Sequence, residues 1–161
     1  MEAKNSKRTT HVPSSGSVRR RSVYLAVVML LLGLTGSMAA DSFVVIVNEA
    51  SPLSALSKQQ VSDVFFRKTT KWQDGTDAVP IDLGESSPTR ASFSKSVLGK
   101  GVAAVKSYWQ RMIFSGRAVP PSEKASAADV MSFVRTHPGA IGYVPQGTPL
   151  APGVKALALE P

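Results

Sequence analysis

The chain has 161 residues, 43% of them hydrophobic, with 19 Lys/Arg against 11 Asp/Glu and no cysteine. Six of those cations and one of the acids fall in residues 1–40, so the formal charge of +8 shrinks to +3 over residues 41–161. That remainder has no basic stripe and no aromatic ladder, which argues against nucleic acid as a partner, and with His137 as its single histidine it offers no zinc site.

Residues 1–22 are polar and basic and end in Arg19, Arg20 and Arg21, and the apolar run Val23 to Leu34 follows. Small residues from Thr35 to Ala40 come next. This is the order of a secretory signal peptide, and cleavage is expected after Ala39 or Ala40. An uncleaved anchor is the rival reading, since Val23 to Ala40 reaches the length of a short span. The expected organisation is therefore a signal peptide over 1–40 and one domain over 41–161, exported to the periplasm. Without cysteine the domain has no disulfides and depends on its hydrophobic core.

Phe43 to Val47 is a β-branched run suited to a buried strand. After the turn residues Asn48 to Pro52, Ser57 and Gln60 carry a capping box, with Leu56 and Val61 as the hydrophobic staple. Val61, Val64 and Phe65 mark the buried face of that helix. Lys71 to Asp77 reads as a polar turn and Val79 to Leu83 as a second strand. Phe93, Val97 and Leu98 give one apolar stripe, and Val102, Val105, Trp109, Met112 and Ile113 give another that ends near Gly116. Arg117 to Lys124 reads as a loop. Ser126 to Asp129 starts a further helix with Val130, Phe133 and Val134 inward, and Pro138-Gly139 stops it. Ala140 to Val144 and Val154 to Leu159 are the last strand candidates, so the order is that of an open α/β sheet flanked by helices.

Between the second strand and its helix lies Asp82-Leu83-Gly84-Glu85-Ser86-Ser87-Pro88-Thr89-Arg90. Ser87 suits the N-cap and Pro88 the first helical position, leaving backbone N–H groups at the positive end of the helix dipole. Arg90 sits in the first turn, where a cation opposes that dipole. It calls for a bound anion or for a carboxylate such as Glu85. Asp74, Asp77, Asp82 and Glu85 read as loop carboxylates with no partnered base, and no constellation argues for catalysis or a cofactor.

Five segments together resemble the phosphate-binding-protein-like family, relatives of the substrate-binding proteins of phosphate ABC transporters. Val61 to Lys68 is similar to the family's helix leading into Phe-x-Gly-Lys, and Lys71 to Gly75 to its Trp-Asn/Asp-Gly turn. Ser86 to Phe93 stands where the family has Arg-x-x-Ser-Gly-Thr followed by Phe, and Phe114-Ser115-Gly116 and Pro138 to Val144 match two further signatures. The resemblance implies an open mixed sheet like one lobe of a periplasmic binding protein, and a non-enzymatic solute-binding function for phosphate or a similar oxyanion. By position it implies Ser86, Ser87, Thr89 and Arg90 as ligand groups, with Ser51 and Ser54 added from the loop after the first strand. Pro88 replaces the family's glycine and removes one backbone donor. The implied partners are the anion and an inner-membrane permease or sensor. Because the segment after residue 40 is too short for two lobes, a homodimer, a partner protein or a non-transport interaction module are the alternatives.

Overall fold

The β-branched run opening the domain forms strand β1, Phe43–Asn48, in a computed structural model that describes residues 43–161. The expected signal peptide and its cleavage point lie outside the described residues. Ser57 caps helix α1, Lys58–Phe65, by the anticipated box: its Oγ accepts from the Gln60 N–H at 3.2 Å and its own N–H donates to Gln60 Oε1 at 2.8 Å. The chain leaves α1 through Arg67, whose φ of 57° lies in the left-handed region that favours glycine. An Arg67 Nη1 hydrogen bond to the Ala78 carbonyl at 3.1 Å offsets part of that strain.

Strand β3 is Val79–Leu83, helix α2 Pro88–Ser96 and helix α3 Val102–Phe114. Helix α4, Ala127–Thr136, and strands β5, Ala140–Pro145, and β6, Val154–Glu160, follow where the sequence puts them. Two short strands add to the sequence reading: β2, Ala55–Ser57, and β4, Ser122–Lys124, the latter inside the expected loop. Three residues carry no periodicity, and both strands exist because a neighbour offers them a ladder. They are the two edges of the sheet, whose order is β2-β6-β1-β5-β3-β4, with β6 and β3 as their partners. β1 runs antiparallel to β5 and β6, while β2 pairs parallel with β6 and β3 parallel with both β5 and β4.

Alternation along β5 shows what covers each face. A Cβ at Gly142 would stand 2.7 Å from Val130 Cγ1 of α4. Its neighbour Tyr143 points the other way and stacks on Phe93 of α2, ring centroids 3.9 Å apart. Phe65 of α1 and Phe43 of β1 close the same aromatic cluster. One face thus packs on α4 and the other on α1 and α2, with α3 outside α2. Trp109 is buried as expected, whereas Phe133 is only half-buried at the edge of the core, stacked on His137, with Lys124 Nζ 4.9 Å from its ring centre.

Candidate functional site

The register of the sheet decides which expected ligand groups can meet. Val79 at the start of β3 lies beside Ala140, and Val47 near the end of β1 lies beside Ile141. The loop that leaves β1 therefore sits at the N-terminal end of β3, and the Ser86–Arg90 segment follows the C-terminal end. A strand of this length separates them by roughly 15 Å. Ser51 and Ser54 are therefore not brought to the α2 start. Ser51 is buried and its carbonyl accepts from Lys155 Nζ at 2.6 Å, while the Ser54 carbonyl accepts from the Ala158 N–H. Asn48, the last residue of β1, closes α4, donating to the carbonyls of Val134 and Arg135 at 2.9 and 2.8 Å. Those groups knit the loop to the sheet and to α4.

The α2 start has the predicted local form. Ser87 is the N-cap, with its Oγ accepting from the Arg90 N–H at 3.3 Å, and Pro88 opens the helix. Ser86 is exposed, Ser87 half-buried and Thr89 buried.

Of the two partners that Arg90 calls for, an anion or a carboxylate, it takes carboxylates, and its side chain is 5% exposed and turned down against the end of β3. Its Nη2 lies 3.1 Å from Asp82 Oδ2, and Nη1 reaches both Glu123 Oε1 and the Leu83 carbonyl. Glu85, the partner considered from sequence, pairs with Lys106 at 2.9 Å. Asp82 is likewise no loop carboxylate. It is buried in β3, accepts from the Tyr143 hydroxyl and takes the Leu83 N–H at 2.9 Å.

The cause is again register. β3 and β4 run parallel with Asp82 beside Glu123, so the sheet sets two carboxylates next to each other. Like charges so placed repel, and a cation reaching both removes the cost. Arg90, in the first turn of the helix that leaves β3, is positioned to do so, and its planar fork suits two acceptors. Burial pushes the Asp82 carboxyl above its ordinary pKa, against the opposing pull of Arg90 and the Tyr143 hydroxyl. For Arg90 burial acts first and downward, but Asp82 and Glu123 outweigh it and hold the guanidinium above its usual value. Tyr143 is raised by burial and by the Asp82 charge, so it is a donor throughout the physiological range.

A cavity of about 210 Å³ lies over this network, lined by Asp82, Glu85, Arg90, Lys106, Trp109 and Glu123 among others. Three carboxylates and two cations line it. The Arg90 Nε and the Ser94 Oγ one helical turn further along α2 are buried without a partner. At the other end of the sheet a cleft of about 390 Å³ separates Pro52–Leu56 from Thr69–Gln73. One signal for the network was legible in the sequence: an aspartate inside Val79 to Leu83, since a carboxylate in a buried strand must find a partner. Glu123 carried no such signal.

The signature segments meet in space. Trp72 Nε1 donates to the Gly139 carbonyl at 2.9 Å, which joins the Trp-containing turn to the Pro-Gly-Ala-Ile-Gly-Tyr segment. Gly139 also accepts the Val79 N–H at 3.0 Å. These residues hold the sheet together and do not line the α2 start.

The family model described as the PBP superfamily domain matches residues 35–158. Solved structures with the same fold include an ABC-type phosphate transport receptor from Vibrio cholerae, 20% identical with a TM-score of 0.58. A Clostridium perfringens protein classed with phosphate ABC transporter substrate-binding proteins and holding bound phosphate gives 20% and 0.58. PstS from Borrelia burgdorferi gives 14% and 0.57. Each alignment covers 74% of this chain but only 46%, 45% and 47% of the neighbour, so the chain spans less than half the length of these proteins. No curated protein matches it. The match over most of its length and the six-stranded sheet agree, and the chain belongs to the PBP superfamily.

Proposed function

We propose that this chain is a non-enzymatic binding module of the cell envelope that keeps one lobe of the phosphate-receptor fold and acts through contact with a partner. The observation that carries this reading is Arg90: its guanidinium is spent on Asp82 and Glu123, so the α2 start has a neutralised cation. Ser87 Oγ is engaged as the cap, Pro88 has no N–H, and Glu85 and Glu123 would repel an oxyanion brought to the same cavity. Export by a cleaved signal peptide, giving a periplasmic location, belongs to this proposal.

A second reading is periplasmic capture of phosphate or a similar oxyanion, linked to ABC-type uptake through an inner-membrane permease or sensor. It is favoured by the fold shared with the phosphate receptors, by the exposed Ser86 and by Lys106 on the rim of the cavity. In that reading Ser86, Ser87 and Thr89 would take the anion, Arg90 would position the helix from beneath, and a second copy would close the other side. Calorimetric titration of residues 41–161 with phosphate, with sulfate and chloride as controls, separates the two. No heat of binding supports the module. Saturable phosphate binding that Ser86→Ala and Lys106→Ala both weaken would install the second reading in its place.

A further inference from the structure

Cations and carboxylates are unevenly divided over the domain. Residues 86–122, which make α2, α3 and the loop after it, contain six Lys/Arg and no Asp or Glu, whereas the rest of 43–161 has seven cations and nine acids. Of the six, Arg90 is buried in its network and Lys106 pairs with Glu85. Lys95, Lys100, Arg111 and Arg117 are exposed and make no ion pair among the described residues.

The same segment holds three of the four large hydrophobic residues exposed among those described: Phe114 is 90% exposed, Val119 69% and Ile113 51%. Ile113 and Phe114 end the helix at a tight turn, and Val119 follows it. Helix α3 ends in a Schellman motif, with the Arg117 N–H bonded to the Met112 carbonyl at 3.1 Å, the Gly116 N–H to the Ile113 carbonyl at 2.9 Å, and Gly116 at φ 64°. Such a turn usually tucks an apolar side chain back onto the helix. Here that position is Arg117, and Phe114, opposite the buried Val105–Trp109 face, projects away from the domain. Arg111, one turn earlier, shares the Phe114 face. Exposing a phenylalanine forfeits its burial energy, so nothing in the isolated fold accounts for it.

We propose that the α3 tip, Ile113, Phe114 and Val119 flanked by Arg111 and Arg117, is a docking surface for an anionic phospholipid bilayer. The charge decides the occupant. A protein interface built around an aromatic anchor is depleted of charge at its core, whereas an apolar tip beside arginines, under a two-helix layer without carboxylates, suits a diffuse sheet of lipid phosphate. The arginine stems can lie along the acyl boundary with their heads among the phosphates. Ile113 also lines the cavity over the Arg90 network, but Phe114, Val119, Arg111 and Arg117 do not, so the surface adjoins the α2 start and stands whether or not an oxyanion binds there.

The test uses residues 41–161, which contain every strand and core residue described, so that the apolar run before residue 40 does not itself carry the protein into lipid. Co-sedimentation is measured with vesicles of phosphatidylcholine alone and of equal parts phosphatidylcholine and phosphatidylglycerol. The domain is expected to pellet with the anionic vesicles, to remain in solution with the neutral ones, and to be released by salt. Phe114→Ser should weaken partitioning about tenfold or more and Arg111→Ser or Arg117→Ser roughly fivefold each. Leu150→Ser, at an exposed apolar site away from the tip, should change nothing, and circular dichroism verifies that each variant is folded. Absence of binding to anionic vesicles overturns the proposal, as does binding that Phe114→Ser and Arg111→Ser leave intact. Dimerisation that Phe114→Ser abolishes, without vesicle binding, would overturn it in favour of a second copy as the occupant.

Discussion

Replacing Arg90 by alanine should destabilise the domain by about 3 kcal/mol at neutral pH. Removing one member of a buried ion pair typically costs about 3–5 kcal/mol, because the remaining charge is left without compensation. The lower end applies here. Asp82 keeps the Tyr143 hydroxyl and the Leu83 N–H, and its carboxyl, already pushed upward by burial, can take a proton once the cation is gone. Glu123 is 44% exposed and can turn to water, so it adds little. Even so, the loss is a large share of the roughly 5–15 kcal/mol that holds a domain of this kind together. Urea unfolding followed by tryptophan fluorescence measures it, with Trp109 as the buried reporter. Adding Asp82→Asn to the Arg90→Ala background should restore part of the loss, since the double variant no longer buries an unpaired charge. A loss below about 1 kcal/mol, the size of a surface change, would refute the reasoning. So would a variant that keeps its stability and loses phosphate binding, which would return Arg90 to the ligand.

Gly139→Ala should be among the most damaging single-methyl changes in the chain, because its Cβ would fall 2.0 Å from the Asp77 carbonyl oxygen, a backbone atom that cannot swing aside. A loss of about 1–3 kcal/mol in the same unfolding assay is expected. Trp109→Ala should cost about 3–5 kcal/mol and Phe133→Ala clearly less, since Phe133 is half-buried and packs partly on His137; an equal loss at the two positions would contradict the packing. The pH dependence of Asp82 has a definite sign. Its folded pKa lies above the unfolded value, so from the ordinary carboxylate range near 4 upward the native state holds more protons and this group's contribution falls as pH rises. Asp63, Asp74 and Asp77 have depressed values, and what they contribute is present above the ordinary range and lost as pH drops through their folded pKa. The stability difference between wild type and Asp82→Asn should therefore shift in favour of wild type as pH is lowered from neutrality toward the ordinary carboxylate range near 4. A difference independent of pH would show that Asp82 titrates alike in both states.

The elements of this domain were legible wherever local chemistry specifies them. The capping box at Ser57 and Gln60, the Ser87–Pro88 helix start and the β-branched run of β1 are decided by a few consecutive residues, and each stands where the sequence places it. The signature segments also sufficed for the family, since Trp72, Gly139 and Gly142 hold contacts that the sheet itself requires. The site was legible only in its local half. That Ser87 caps α2 follows from adjacent residues, whereas the direction in which Arg90 points depends on Glu123, 33 positions away, arriving beside Asp82. A strand of three residues has no pattern of its own, so β4 and the charge it carries could not be foreseen. In the same way, the family resemblance put Ser51 among the ligand groups, in the loop after the first strand. Only the antiparallel setting of β1 against β5 puts that loop at the far end of the sheet. Short-range hydrogen bonding and periodicity determine which segments are helix or strand. Register between strands distant in sequence determines which charges must be neutralised inside the fold and which remain free to meet a ligand.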